Sequence, residues 1–491
     1  MFKHALIQDA AYSTLPKKSR RVLHTRIAKT LESRFAERVK TEPELLGYHY
    51  EQAGLAGPAV EYWRLAAQRD VARSANIEAL GHFNRAIHAL NDLPEGSERD
   101  QLELALLIGR GAPLLLVKGY ASDDIEQNYL KAKSLSQASP DSDEYFLSMW
   151  GLWVFHLVRG PLAKASVLAE DLLSWATRRQ NPDLLIRAHE SVGSTYSFLG
   201  RFGEAKAHLQ EATSIYAPHR SGSHVPPYTQ DPGITARIML ARILWILGDL
   251  DQVETLLVEA IAMARTLEHP FTMAFTLATA SWVYSTLRDT HRTLRLTEEA
   301  IELSSKYSFE VPLAWAISFQ GWALAEQGKE RGIERLVEGL SAAQRAKASL
   351  NHTYTLALLA EIHLRNRHIV DGLLVIQQAQ ELAAAQGELC WQAELLRLKG
   401  ELLLAQSDRS IIMAEQCYAD ALAIAQAQRA NMLELRAATS LARLLRKLNK
   451  PDIAKHTLSA ARAKFGDHSA NPDVIDAQAI LDKLVEDRAS K

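Results

Sequence analysis

Residues 193–218 read GSTYSFLGRFGEAKAHLQEATSIYAP and contain two helical segments on either side of a glycine. Gly193 lies seven residues before the turn residue Gly200, and Ala205 and Ala212 lie five and twelve residues after it. Small side chains at these positions let the two helices of a hairpin pack closely, while larger apolar residues between them contact the next hairpin. The stretch therefore predicts a helix-turn-helix unit.

The same spacing recurs along the whole chain. It is clearest around the turn residues Gly248, Arg288, Gly328, Arg367 and Asn449. Weaker copies surround the turn at Gly160, the helices that carry Gly400 and Ala414, and an early hairpin that carries Trp63 and Phe83. Together they make about nine units with a period of about 40 residues, which is typical of tetratricopeptide-like repeats. We predict an all-α, right-handed superhelical solenoid of tetratricopeptide-like hairpins without β-strands.

Composition is that of a folded protein and excludes several classes of partner. The chain is 47% apolar and 23% charged, and its net charge of -2 creates no field that attracts nucleic acid or anionic lipid. Two cysteines, Cys390 and Cys417, suit a reducing compartment. The longest apolar stretch, around residues 149–158, is too short to span a bilayer. We expect a cytoplasmic protein that binds neither nucleic acid nor membranes.

The repeat pattern divides the chain into three parts. Residues 1–56 form a helical segment that does not follow the repeat, residues 57–470 form the solenoid, and residues 471–491 form a C-terminal helix or tail. Within the solenoid, residues 217–233 contain four prolines, so we predict a loop insertion there. Long insertions in solenoids usually lie on one rim and often carry function.

Several stretches of the sequence are distinctive. They are FKHALIQDAAY at 2–12, KKSRR at 17–21, PELL at 43–46, KGYA at 118–121 and GWALAEQG at 321–328. Taken together they resemble the C-terminal region of bacterial STAND-class AAA ATPase and class III adenylate (guanylate) cyclase signalling proteins. In that family a P-loop ATPase and a winged-helix region precede a tetratricopeptide-like solenoid. The resemblance implies a region that follows the ATPase core and regulates it.

The resemblance does not extend to the catalytic motifs of the family. Its ATPase needs G-x-x-x-x-G-K-[ST], whose backbone amides and lysine hold the phosphates, and this string does not occur here. The chain also has no α/β pattern of the kind that a cyclase domain needs. We therefore expect no enzyme activity, no catalytic residue, no metal site and no cofactor. We expect either the C-terminal portion of a larger signalling protein or a free-standing repeat protein.

Candidate partner-binding residues lie on the first helices of the hairpins, which line the inner groove of tetratricopeptide solenoids. They are the aromatic residues Trp153, Tyr196, Trp282, Tyr284, Trp315 and Trp322, with Arg237 and Arg242 near the insertion as polar contacts. The alternative for the aromatic residues is packing inside the hairpins. The basic residues between Lys17 and Lys29 are either a solvated helix face or a contact with an ATPase domain.

These observations favour a non-catalytic interaction and regulatory module that binds a partner or effector through the solenoid. The partner is expected to be a protein or peptide, with a separate ATPase or cyclase chain as one candidate. Two alternatives remain open, namely a stand-alone tetratricopeptide scaffold or adaptor, and the sensor arm of a transcriptional regulator.

Overall fold

The computed structural model describes residues 12–216, 228–466 and 470–489. All regular secondary structure in these ranges is helical, which confirms the predicted all-α fold class for the described part of the chain. The chain divides into two compact units, one of residues 1–118 and 123–151 and the other of residues 119–122 and 152–491.

The first unit contains the N-terminal segment and the earliest hairpins. Its described helices are α1 (Lys17–Arg34), α2 (Ala36–Thr41), α3 (Pro43–Ala53), α4 (Ala56–Ala72), α5 (Asn76–Leu90), α6 (Ser97–Lys118), α7 (Asp123–Ser136) and the first part of α8 (Asp143–Arg159). Ala28 of α1 and Tyr50 of α3 lie in one hydrophobic core with Trp63 of α4 and Phe83 of α5. The N-terminal segment therefore shares its core with the first hairpin.

The second unit continues as successive helical hairpins and ends in a single helix. Its helices after α8 are α9 (Leu162–Arg179), α10 (Pro182–Phe198), α11 (Phe202–Tyr216), α12 (Pro232–Leu247), α13 (Val253–Leu267), α14 (Pro270–Thr286), α15 (Thr290–Tyr307), α16 (Glu310–Glu326), α17 (Arg331–Arg345), α18 (His352–Arg365), α19 (Ile369–Gln386), α20 (Gln392–Gln406), α21 (Ile411–Ala427), α22 (Asn431–Lys447), α23 (Pro451–Arg462) and α24 (Pro472–Ala489). A short 3-10 turn at Asp408–Ser410 separates α20 from α21. Of the predicted insertion at 217–233, residues 217–227 lie outside the described residues.

The turns inside the hairpins share one backbone conformation. Gly200 has φ of 75°, and the N–H of Arg201 donates a hydrogen bond of 3.0 Å to the carbonyl of Tyr196, five residues earlier. A left-handed residue followed by this bond closes the end of a helix and is favoured by glycine. The turn residues identified from the spacing all have positive φ: Gly160, Gly200, Gly248, Arg288, Gly328, Arg367 and Asn449.

Small residues in the hairpins are required by the distance between the helices. A Cβ atom on Gly193 of α10 would lie 2.6 Å from the side chain of Leu209 of α11. A Cβ atom on Gly321 of α16 would lie 2.3 Å from the backbone nitrogen of Leu336 of α17. Both distances are far below van der Waals contact, so these two hairpins close only with glycine at those positions.

The structure adds a hairpin, α6 with α7, that the spacing does not predict. Asp124 and Lys131 stand five and twelve residues after Gly119, where the pattern requires small side chains. The close approach occurs elsewhere, because a Cβ atom on Gly111 would lie 2.1 Å from the hydroxyl of Tyr129. The same kind of packing is therefore reached with a different set of residues.

Candidate functional site

Hydrogen bonds to backbone carbonyls join distant turns of the second unit. The Val158 carbonyl accepts a hydrogen bond of 3.1 Å from the hydroxyl of Ser349, which lies 191 residues later. The Phe198 carbonyl accepts one of 3.2 Å from the N–H of Cys390. The Leu247 carbonyl accepts one of 2.7 Å from the side-chain amide of Asn431, 184 residues later. The stack of hairpins in this unit is therefore curved strongly enough to bring hairpins that are far apart in the sequence into contact.

The first helices of the central hairpins are buried on nearly every face. In α12 all residues except Arg237 and Leu247 are buried. The second helices instead keep an exposed face, since α15 buries only Thr293, Leu296, Thr297, Ala300 and Ser304. A helix that is buried all round is in contact with other helices on all sides. The first helices thus surround a packed interior instead of lining an open groove.

The structure places nearly all the sequence-predicted partner residues inside this unit. Trp153, Tyr196, Trp282, Tyr284, Trp315, Trp322 and Arg242 are buried, and the side chain of Arg237 is largely covered. Tyr196 and Tyr284 pack between helices, where their hydroxyls donate to Glu170 at 3.0 Å and to Glu254 at 3.3 Å. The assignment of these eight residues to partner binding stays a prediction, and contact with a partner would require local opening.

Arg242 lies at the centre of an aromatic cluster in this interior. Its guanidinium carbon is 4.4 Å from the ring centroid of Trp282, 4.9 Å from that of Phe198 and 5.6 Å from that of Trp391. Its Nη1 donates a hydrogen bond of 3.0 Å to the hydroxyl of Ser197. Aromatic faces attract a cation, so the cluster partly compensates the loss of hydration of the guanidinium.

Polar atoms around Arg242 are not fully paired. Nε and Nη2 of Arg242 are buried without a hydrogen-bond partner. Burial lowers the pKa of Arg242, while the nearby Cys390 and Glu388 raise it. Burial also raises the pKa of Glu388 to about 7, although the nearby Thr353 hydroxyl and the charge of Arg242 both lower it. An incompletely paired charge in an apolar interior is costly.

A small cavity of about 50 Å³ lies in the same interior. Its wall is mostly aromatic and aliphatic and includes Trp153, Phe275, Trp282 and Trp315. Both side-chain polar atoms of the lining residue Asn351 and the indole nitrogens of Trp282 and Trp315 are buried without a hydrogen-bond partner. A space of this size holds a few water molecules or a small polar group that could satisfy such atoms.

A second cavity, of about 240 Å³, is lined by charged residues from five helices or turns. Its ion pairs are Arg288 with Glu361 at 3.0 Å, Arg397 with Glu394 at 2.8 Å, and Arg436 with Asp473 at 2.7 Å. Burial alone would raise the pKa of Glu394, but Arg397 and Arg436 lower it to about 2. Each arginine is matched by a carboxylate, so the network ties α24 to the preceding helices and leaves little charge for an external anion.

Sequence reasoning did not find this network, because its members come from different repeats and follow no common spacing. It also did not find a group of potential metal ligands, His363, His368 and Asp371, at the turn between α18 and α19. The local string H-x4-H-x2-D was the available signal for that group. Among the described helices, none combines the length and the apolar character needed to cross a bilayer.

The repeated hairpins, with their buried first helices, define a solenoid of tetratricopeptide-type helical hairpins. Residues 186–219, which contain α11 and most of α10, match the model of the tetratricopeptide repeat family. A chain of the APC/C hetero-tetramer Cut9–Hcn1 is similar in structure, with a TM-score of 0.54 and 14% identity over 98% of this chain and 94% of that chain. This likeness establishes the fold class.

Two further proteins are similar over much of the chain. The uncharacterized protein R02095 of Rhizobium meliloti (strain 1021) is 24% identical over 447 residues, which are 90% of this chain. The chain spans 43% of the length of that curated relative. A Rap protein, solved in complex with competence and sporulation factor, has a TM-score of 0.45 and 13% identity over 81% of this chain and 99% of that chain.

Proposed function

We propose that this chain is a non-catalytic regulatory module of a signal-transduction ATPase or adenylate cyclase system and acts by binding a protein partner. The sequence resemblance to the C-terminal region of such proteins supports the proposal. So does the fold, because stacked helical hairpins offer long surfaces for protein binding. The observation that carries the proposal is an exposed apolar and basic surface in the first unit.

Large apolar side chains are exposed throughout the N-terminal segment. We call this set the N-terminal surface, and its members are between 38% and 61% exposed: Val22, Leu23, Ile27, Phe35, Tyr48 and Leu55. Leu23 and Ile27 are four residues apart and share one face of α1. The ring of Tyr48 lies 5.7 Å from the ring of His24, which places it beside the same helix. Clustered exposed apolar residues are typical of interaction sites, whereas scattered ones are normal on any surface.

The charges on α1, which carries Val22, Leu23 and Ile27 of the N-terminal surface, are almost all positive. On α1 the exposed basic residues are Lys17, Lys18, Arg21, Arg26, Lys29 and Arg34. The acidic residue of the helix, Glu32, accepts hydrogen bonds from the hydroxyls of Tyr50 at 2.5 Å and Tyr62 at 2.7 Å. An apolar surface with a basic rim fits a partner whose contact face is apolar and rimmed by carboxylates, because charge complementarity guides association. The partner in this proposal is the P-loop ATPase of the signalling system.

Affinity capture of the full chain from its own cells tests this function. The wild-type chain is expected to retain a P-loop ATPase or class III cyclase polypeptide, identified by mass spectrometry. The double variant Leu23→Asp/Ile27→Asp is expected to lose it, because two buried charges at the contact would lack partners. The matched control Val167→Asp/Val258→Asp changes exposed residues on α9 and α13 and should retain it.

Other results would point elsewhere. If the Leu23→Asp/Ile27→Asp variant captured the partner as well as the wild type, the N-terminal surface would not be the binding site. Capture of partners unrelated to ATPases or cyclases would favour a stand-alone scaffold, and capture of a DNA-binding chain would favour a sensor arm of a transcriptional regulator.

A further inference from the structure

Three potential metal ligands meet at the turn between α18 and α19. His363 lies near the end of α18, His368 is the residue before α19, and Asp371 lies in the first turn of α19. One ligand atom from each residue lies within 4.8 Å of those of the other two. The three residues therefore converge on one point of the surface of the second unit.

The backbone of the turn holds two of these residues at a defined separation. The N–H of His368 donates a hydrogen bond of 2.9 Å to the carbonyl of His363. Between them Arg367 has φ of 61°, and its N–H donates to the carbonyl of Leu364 at 3.2 Å. This is the closure that recurs in the other hairpins, so the ligand spacing rests on a rigid element of the repeat.

The side chains at this turn are available for an additional ligand. Among the described residues none of His363, His368 and Asp371 makes a side-chain hydrogen bond, and the Nδ1 atom of His363 is buried without a partner. The two imidazole rings lie 5.8 Å apart at an angle of 48°.

We propose that His363, His368 and Asp371 bind a divalent transition-metal ion, with Zn²⁺ as the best match. Two imidazoles and one carboxylate suit Zn²⁺, whereas Ca²⁺ and Mg²⁺ prefer oxygen ligands alone. With metal–ligand bonds of about 2.1 Å, tetrahedral ligand atoms lie about 3.4 Å apart. Rotation of the exposed His368 and Asp371 side chains closes the remaining gap. Three protein ligands leave a fourth position for water.

A bound ion would connect the end of α18 directly to the start of α19. These two helices form one hairpin, so the ion adds a second closure to a turn that the backbone already closes. Because the ion binds the folded hairpin in preference to the unfolded chain, it stabilises the second unit in proportion to its free concentration. The site is separate from the N-terminal surface and does not depend on the proposed function.

Titration of the purified full chain with Co²⁺ alone tests the site. We expect the visible absorption of four-coordinate Co²⁺, saturating at one equivalent, and its loss when Zn²⁺ displaces the ion. His368→Gln and Asp371→Asn should each weaken binding by at least about 100-fold, since even outer-shell partners of metal ligands are worth 10–100-fold. His291→Gln, at the corresponding turn between α14 and α15, should leave the affinity unchanged.

Helix content measured by circular dichroism confirms that each variant is folded, and the altered positions His368, Asp371 and His291 are all exposed. The site is refuted if the wild-type chain gives no saturable Co²⁺ absorption. It is equally refuted if His368→Gln and Asp371→Asn bind as tightly as the wild type, or if His291→Gln weakens binding to the same extent.

Discussion

The guanidinium carbon of Arg242 lies 4.4 Å from the ring centroid of Trp282 in the interior of the second unit. Both residues come from first helices, which in tetratricopeptide solenoids face the groove, yet they are 0% and 2% exposed. Their contact fills space that an open solenoid would leave for a ligand. A partner that used these side chains would first have to displace internal packing, at a cost that their replacement can measure.

Two substitutions of Arg242 distinguish the contribution of its side-chain volume to stability from the contribution of its charge. We expect Arg242→Ala to lower the free energy of unfolding of the second unit by about 3 kcal/mol, because it empties buried volume between aromatic rings. Arg242→Met should cost less than about 1 kcal/mol, because an apolar side chain of similar length fills the space without a buried, incompletely paired charge. Urea unfolding followed by tryptophan fluorescence gives both values.

The exposed Arg265, which pairs with Glu299 at 3.1 Å, provides the control. Arg265→Ala should change stability by no more than about 0.5 kcal/mol. A large loss in Arg242→Met would show instead that the charge itself stabilises the aromatic cluster.

The turn residues show why much of the fold could be predicted from the sequence. Gly193, Gly200 and Ala205 act within one hairpin, where helix packing and a left-handed turn depend on neighbours in the chain. The bond from Cys390 to the carbonyl of Phe198 could not be predicted in this way. This bond depends on the rotations between successive hairpins, which add up over several repeats. A local sequence pattern does not determine the total rotation.

The same reasoning explains the outcome for the interior residues. The sequence correctly assigns Trp282 and Arg242 to first helices, but their burial depends on how far the unit curves. The ion pair of Arg436 with Asp473 joins α22 to the first turn of α24, outside any repeat spacing. By contrast, His363 and His368 belong to one turn, so their proximity was open to prediction from the string.

His269 gives the second unit a specific dependence on pH. Its Nδ1 accepts a hydrogen bond of 3.2 Å from the N–H of Thr272 and so caps the start of α14. Burial lowers the pKa of His269 to about 4, from 6.5 in the unfolded chain. As pH falls below 6.5 the unfolded chain takes up the proton first, so the contribution to stability is complete above 6.5 and is lost towards pH 4.

We therefore expect His269→Asn to reduce the fall in unfolding midpoint between pH 7 and pH 5, because asparagine caps a helix at any pH. Thermal unfolding at the two pH values measures the difference. His456→Gln, which removes an exposed imidazole from α23, should leave the wild-type slope intact. An unchanged slope in His269→Asn would show that the cap does not titrate in this range.

Gly321 tests the close packing of α16 and α17. Its substitution by alanine would place a Cβ atom 2.3 Å from the backbone nitrogen of Leu336, which cannot move as a side chain can. We expect Gly321→Ala to destabilise the second unit by about 3 kcal/mol or more. Gly203→Ala on α11, where no atom lies within 4 Å, should stay within about 0.5 kcal/mol of the wild type in the same urea experiment.

The N-terminal segment is expected to be the least stable part of the described chain. Its first described complete helix, α1, follows Pro16 without a side-chain cap and has no acidic residue in its first turn. Lys17 and Lys18 stand there instead, where positive charge opposes the helix dipole. Leu23 and Ile27 are 42% and 41% exposed, so they gain only part of the free energy of full burial in the isolated chain. Amides of α1 should therefore exchange with solvent faster than those of α4 and α5, whose apolar faces are buried.

Hydrogen exchange with mass spectrometry measures this difference on the isolated chain. Binding of a partner to the N-terminal surface should slow exchange in α1 while leaving α12 and α14 unchanged, because the partner binds the folded helix in preference to the open one. Protection of α1 equal to that of α12 in the isolated chain would show that the segment needs no partner to be stable. In that case the exposed apolar residues would not mark a partner-binding surface. The Leu23→Asp/Ile27→Asp variant should then retain every captured protein.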